Sequence, residues 1–292
     1  MNVYEETQFI LHKYKIQANK SLGQNFLVDD NIIEKIIDSS QISKEDLIIE
    51  IGPGLGVLTN RLLQEAKYVI AVELDKRMVD ILQDRFVSNI EKGQLEIIND
   101  DILKIDLAKI IEEKRTHGNI NNVEVVANLP YYISTPIIMK LLENRLDIDD
   151  ITVMVQKEVA ERLIAKTGSR NSGAITYAVE YYSEAESIIE VPKESFIPSP
   201  KVESEVIRLK VRKAPKITVK DEKLLFNIIQ KSFMQRRKTL SNALINTHVM
   251  QNKIEVEEML KSLELDSNVR GESLTLEQFG QITDCISQKK MI

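Results

Sequence analysis

Asn128, Leu129, Pro130 and Tyr131 follow the apolar run 123–127 and are the residues of this chain best suited to chemistry. An amide acceptor, a proline that fixes the backbone and an aromatic face at the carboxyl end of a buried strand can hold a flat, amine-bearing base while its nitrogen is alkylated. Such a reaction needs an alkyl donor. Upstream, Leu47-Ile48-Ile49-Glu50-Ile51 runs into Gly52-Pro53-Gly54-Leu55-Gly56 and then into the helix-period segment 57–63. A short apolar run, a glycine turn and a helical pattern make the first βα unit of a nucleotide-binding sheet. The next apolar run, 68–72, ends in Glu73, placed to accept hydrogen bonds from ribose hydroxyls.

Two ligands compete for this turn. A dinucleotide needs G-x-G-x-x-G so that its pyrophosphate can approach a helix N-terminus, whereas this loop reads G-P-G-L-G with a proline at its second position. S-adenosylmethionine carries no phosphate and suits the tighter curve; a purely structural turn is the remaining possibility. Further along, the run 95–99 leads into two acids, and Asp101, chosen over Asp100, can accept from the exocyclic amine of adenine. The plainer reading has both acids capping the following turn. Phe196 stands among Pro198 and Pro200, either held near the pocket or serving as core packing. Arg236, Arg237 and Lys238 read as the start of a helix, where positive charge is unfavourable, so phosphate contact supplies a reason for them.

These groups must be positioned by elements, and the pattern predicts them. Apolar runs near 47–51, 68–73, 95–99, 123–127 and 151–156 alternate with helical segments, which gives a mostly parallel, doubly wound sheet. The runs 185–191 and 202–211 lie too close together for a crossover helix, so the last pair is expected to be antiparallel. The polar stretch Glu112 to Asn122 reads as a surface loop. After Ala214-Pro215 the pattern turns helical over 221–235, 238–245, 254–263 and 275–286. One large domain, 1–213, and a small all-α domain, 214–292, are therefore expected, as the length of 292 residues also suggests.

Composition narrows the function classes. A single cysteine, Cys285, excludes an intramolecular disulfide, and His12, His117 and His248 have no metal-ligand spacing, so no metal is expected. Glu5 and Glu6 near the start, and the lack of any long apolar run, point to a soluble cytoplasmic protein without a membrane partner. Net charge is −6, yet twelve Lys or Arg face only four Asp or Glu between Lys201 and Lys238. Lys13, Lys15 and Lys20 form a second basic stretch, read as an N-terminal arm. Either region is a nucleic-acid face or simply a solvated surface.

Five motifs, taken together, resemble the ribosomal RNA adenine N6-dimethyltransferases: Lys20–Leu27, Glu50–Gly56, Asn128–Ser134, Phe196–Ser204 and Gln235–Leu240. The likeness runs from Lys20 to about Leu244, in order, and is strongest to the small-subunit branch. It implies a Rossmann-like class I methyltransferase sheet of seven strands, the last antiparallel, that uses S-adenosyl-L-methionine. The implied substrate is N6 of two adjacent adenosines in the 3′-terminal hairpin of 16S rRNA, within the small (30S) subunit, met by a monomer with a further role in subunit biogenesis. The alternative within the family is a 23S rRNA adenine methyltransferase of the macrolide-resistance type; outside it, a small-molecule N-methyltransferase.

The same resemblance assigns roles. Asn25 and Leu27 close over the cofactor, Gly52 and Gly54 admit its methionine end, Glu73 holds the ribose, Asp101 binds the adenine, and Asn128 bridges cofactor and substrate. The side-chain oxygen of Asn128 and the Leu129 carbonyl accept from the target amine, Pro130 directs that carbonyl, and Tyr131 and Phe196 stack on the base. Lys201, Arg236, Arg237 and Lys238 meet RNA.

Overall fold

Among the described residues nine strands form where β-branched and aliphatic residues run together: β1 (Phe26–Leu27), β2 (Leu47–Ile51), β3 (Tyr68–Glu73), β4 (Leu95–Asn99), β5 (Val123–Asn128), β6 (Asp150–Gln156), β7 (Ser183–Val191), β8 (Phe196–Ile197) and β9 (Ser204–Val211). The computed structural model describes residues 2–19 and 22–290. Lys20 and Ser21, at the head of the expected Lys20–Leu27 motif and basic arm, lie outside the described residues.

Seven strands make one sheet in the order β4-β3-β2-β5-β6-β9-β7. The pairs β2–β3, β3–β4, β2–β5 and β5–β6 are parallel. Strand β9 runs antiparallel to β6, from Asp150 opposite Lys210 to Gln156 opposite Ser204, and neighbours β7 at the sheet edge. Leu47, Ile48, Ile49, Val125 and Val126 are fully buried, as expected of parallel strands covered on both faces. The order reverses between β2 and β5, so the connections leaving their carboxyl ends diverge and open a crevice there. The glycine turn leaves β2 and the Asn128–Tyr131 segment leaves β5. Sheet topology alone therefore brings the two motifs together.

The chain packs as two compact units. One contains the residues through Ala160 together with Ala185–Val211; the other contains Glu161–Glu184 together with the chain from Arg212 onward. A single cut at 213 does not describe this division, because helix Ala174–Tyr182 packs with the later helices. Its Tyr177 meets Phe279 edge-on, with ring centroids 5.2 Å apart, and its hydroxyl donates to the Leu274 carbonyl at 2.6 Å. The later helices Glu222–Met234, Leu240–Asn246, Lys253–Ser262 and Leu276–Lys290 follow the predicted periodicity. Among the described residues, no helix is long and apolar enough to cross a membrane.

The expected surface loop 112–122 is helical through Gly118. The helix, Leu107–Gly118, ends at Asn119 in the left-handed region (φ 49°). Only Leu107 and Ile111 of this helix are buried, so its remaining surface is polar and hides the period. Val3–Lys13 is also a helix, capped by Asn2, with Val3, Thr7 and Ile10 facing inward. It docks through Arg85, which contacts both Glu6 and the Leu55 carbonyl in the glycine turn. The Lys13 amine of the expected basic arm pairs with Asp84 at 3.0 Å.

Candidate active site

The crevice at the β2–β5 switch point is a cleft of about 1170 Å³, counting its open mouth. Its walls include Leu22–Leu27, the turn 52–55, Glu73, Asp101 and Asn128–Ile133. Asn25, Leu27, Gly52, Gly54, Glu73, Asp101, Asn128, Leu129, Pro130 and Tyr131 all line it. Phe196 does not.

The glycine turn is shaped by backbone angles that side chains resist: Gly52 has φ +68° and Gly54 φ +58°. A Cβ on Gly54 would press on the Phe26 ring at 3.4 Å, and one on Gly52 would lie 4.0 Å from the Asn128 carbonyl oxygen. The Gly54 N–H donates to Glu73 Oε2 at 3.1 Å, and the Asp75 N–H donates to Oε1 at 2.8 Å. Glu73 is thus buried and aimed, and its spare lone pairs remain available to hydroxyl donors. Burial raises its pKa, while those two amides oppose the rise.

Loop 22–25 is pinned on both sides of the cleft. On one side Asn128 Nδ2 donates to the Asn25 carbonyl at 3.2 Å, and Asn25 Nδ2 donates to the Gly23 carbonyl at 3.1 Å. On the other, Gln24 Nε2 donates to Asp75 Oδ2 at 2.9 Å. Asp75 also accepts from Arg77, whose hydrogen bonds hold its carboxyl below the ordinary range. With its amino group spent on Asn25, Asn128 presents Oδ1 as an acceptor. Tyr131 is braced by a 2.6 Å hydrogen bond between its hydroxyl and Ser204 Oγ, and burial raises that hydroxyl's pKa.

Asp101 caps its turn and faces the cleft. Its Oδ1 accepts from the Leu103 N–H at 3.0 Å. Phe196 departs from expectation. It pairs with Leu27 in the antiparallel β1–β8 ribbon, is only 3% exposed, and belongs to the same apolar cluster as Leu27, Ile33 and Val191. Neighbouring prolines restrict its backbone, but strand alternation turns its ring into the core. The aromatic rings that line the cleft are Phe26, Tyr131 and Tyr132, the last 55% exposed.

Several site residues escaped the sequence reading although they sit inside its motifs: Gln24, Phe26, Tyr132 and Glu50. Glu50 is buried in β2, accepts from Thr59 Oγ1 at 2.6 Å, and has its pKa pushed up to about 8, chiefly by burial. An acid within a wholly buried run was itself the signal.

The basic residues look different in the fold. The cations 236–238 occupy a turn, between the helix ending at Met234 and Thr239, which caps the next. Arg236 is committed, with Nε on Glu272 at 3.0 Å and a terminal nitrogen on the carbonyls of Arg170 (3.2 Å) and Ser172 (3.3 Å). Lys201, Arg237 and Lys238 are exposed. Among the described residues no group of three or more His, Cys, Asp or Glu side chains is placed to hold a metal ion.

Known proteins resemble this chain in sequence and in fold. The chain is 44% identical over 285 residues to ribosomal RNA small subunit methyltransferase A of Alkaliphilus oremlandii, covering 98% of this chain and 97% of that one. It is 46% identical to the protein of the same name from Lachnoclostridium phytofermentans, covering 98% and 97%. Among solved structures, a dimethyladenosine transferase from Plasmodium falciparum superposes with a TM-score of 0.73 at 26% identity, covering 91% of this chain and 98% of that chain. The 23S rRNA methyltransferase ErmE superposes with a TM-score of 0.66 at 21% identity over 90% and 100%, a likeness of fold. The model of the ribosomal RNA adenine dimethylase family matches residues 15–288. With residues of the motifs Lys20–Leu27, Glu50–Gly56 and Asn128–Ser134 lining one cleft, and with the family model and the relatives matching over nearly the whole chain, the chain belongs to the ribosomal RNA adenine dimethylases.

Proposed function

We propose that this protein transfers methyl groups from S-adenosyl-L-methionine to N6 of two adjacent adenosines in the 3′-terminal hairpin loop of 16S rRNA, acting on the small ribosomal subunit. The observation that carries the reading is the Asn128 amide, tethered through its Nδ2 to the Asn25 carbonyl, in a cleft that the glycine turn and Tyr131 also line. The small-subunit target follows the relatives sharing 44–46% of its residues over nearly their whole length.

The residues present fit the cofactor. Gly52 and Gly54 leave a cradle that side chains would fill, Glu73 offers carboxylate oxygens to a ribose, and Asp101 offers one to an adenine amine. Asn25 and Leu27 close the loop side. When bound, S-adenosyl-L-methionine supplies an electrophilic methyl group on a sulfonium.

The chain's own residues then prepare the nucleophile. Adenine N6 is a poor one because its lone pair is delocalised into the ring. Accepting its two N–H bonds, at Asn128 Oδ1 and the Leu129 carbonyl, draws the nitrogen toward a pyramidal geometry. Pro130 restricts the backbone that aims the carbonyl, and Tyr131 presents its ring to the base and favours positive charge nearby. Positioning of this kind accounts for up to about 7–11 kcal/mol in well-oriented reactions. No strong general base is needed, since the proton leaves after transfer. The target base must leave its stack, which is cheaper in a hairpin loop than in a duplex. Exposed Lys201, Arg237 and Lys238 are the cations offered to RNA phosphates.

Methyl transfer to 30S and 50S particles from cells lacking the modification tests the reading. Labelling of 30S with two dimethylated adenosines is expected; labelling of large-subunit RNA alone would overturn it.

A further inference from the structure

Lys140 lies in the last turn of helix Ser134–Glu143, which begins directly after the Asn128–Ile133 segment. Its half-buried side chain crosses to the loop after β4, where Nζ donates to the carbonyls of Ile102 at 2.9 Å and Ile105 at 2.8 Å. Those carbonyls belong to the turn led by Asp101. Within that turn the Asp101 carbonyl accepts from the Lys104 N–H at 2.8 Å, while its side chain accepts from Leu103, so Asp101 and the turn form one rigid piece. Ile102 is 5% exposed and lines the cleft beside Asp101. An ammonium has three donors, and this one spends two on a single turn.

We propose that Lys140 is a positioning residue for base recognition in the cofactor subsite: it holds the Asp101–Ile105 turn so that Asp101 can accept from an adenine amine. The same helix adjoins the target-base segment at its start and props the cofactor-base turn near its end, so the two adenine sites share one rigid support. Removing the ammonium leaves two carbonyls without that donor and frees the turn to rotate Asp101 away. This inference rests on the reading of Asp101 as the adenine acceptor.

The test uses binding rather than turnover. S-Adenosylhomocysteine and its inosine analogue, in which oxygen replaces the N6 amine, are titrated calorimetrically into the full chain and its Lys140→Met, Lys140→Arg and Asp101→Asn variants. The unaltered protein is expected to prefer the adenine form by roughly ten- to a hundred-fold, the usual worth of a hydrogen bond to a charged acceptor. Lys140→Met should cut that preference at least five-fold, Lys140→Arg should restore part of it, and Asp101→Asn should lower or invert it. A lysine that merely stabilises the fold would weaken both ligands equally and leave the ratio intact, which overturns the proposal. If Asp101→Asn loses the preference while Lys140→Met keeps it, only the Lys140 role falls; if both keep it, the Asp101 reading falls as well. Should Lys140→Met fail to fold, Lys140→Gln is read by the same ratio, and an unchanged ratio again overturns the proposal.

Discussion

The Asn128–Tyr131 corner and the basic run from Lys201 to Lys238 are equally conspicuous in the sequence, yet the fold treats them differently. Asn128, Leu129, Pro130 and Tyr131 all reach the cleft together. Along the basic run, by contrast, Arg208 pairs with Asp150, Arg212 with Glu184, Lys216 with Glu180 and Arg236 with Glu272. The difference is physical. A strand end, a proline and a glycine turn act through local backbone geometry, so their meaning survives folding. Long cationic side chains take whichever acids the tertiary structure delivers, and those acids lie far away in sequence. The local charge excess therefore overstates what is left for RNA.

The largest effect that tests this contrast belongs to the corner. Tyr131→Ala and Asn128→Ala should each lower methyl transfer on the order of a hundred-fold or more, as removal of a preorganised catalytic hydrogen bond or positioning group does. Binding to small subunits, followed by co-sedimentation, should change less than about three-fold, because phosphate contacts dominate affinity. Parallel loss of binding and turnover would mean that the corner is a docking surface like any other.

Arg236 and Arg237 sharpen the comparison as neighbours with opposite duties. Arg236→Ala strips a carboxylate and two carbonyls of their donor and should cost about 1–3 kcal/mol of stability, read from denaturant unfolding. Arg237→Ala should leave stability unchanged and reduce the salt dependence of RNA binding by about 0.7–0.9 log units per log unit of salt, the amount expected for one phosphate contact. An unfolding midpoint that moves only in Arg237→Ala would reverse the assignment.

What the sequence made legible follows the same divide. The sheet was readable because each strand is a short, nearly unbroken apolar run, and the cleft because its turn and corner carry glycine and proline. Helix Leu107–Gly118 was not, since only Leu107 and Ile111 are buried and two residues cannot display a period. Phe196 was misplaced because proline neighbours speak for backbone stiffness and not for the direction of a ring. Helix Ala174–Tyr182 packs with the helical unit across a gap in sequence that no composition shift marks. Gln24 and Lys140 were invisible as partners because what they hold, Asp75 and the carbonyls of Ile102 and Ile105, is defined only in three dimensions.

The subtlest contrast is between two buried acids on adjacent strands, Glu50 in β2 lining the cleft and Glu124 in β5 away from it. Both have pKa values pushed up to about 8, in each case first by burial; the Thr59 hydroxyl opposes the rise at Glu50, and the charge of Asp150 adds to it at Glu124. In the unfolded chain each titrates near the ordinary carboxylate value of 4.5. The folded protein therefore holds protons that the unfolded chain has released across the window from 4.5 to about 8. Their stabilising effect is full below that window and is lost as pH rises through it, with a slope of at most about 1.4 kcal/mol per pH unit for each group. Glu50→Gln and Glu124→Gln should each flatten the fall of the melting temperature between pH 5.5 and 8 by a few degrees. Only Glu50→Gln should also weaken binding of S-adenosylhomocysteine, because only that acid faces the cleft. An equal loss of ligand affinity in Glu124→Gln would show that the two neighbouring strands are coupled, and that the cleft is not specified by its own walls alone.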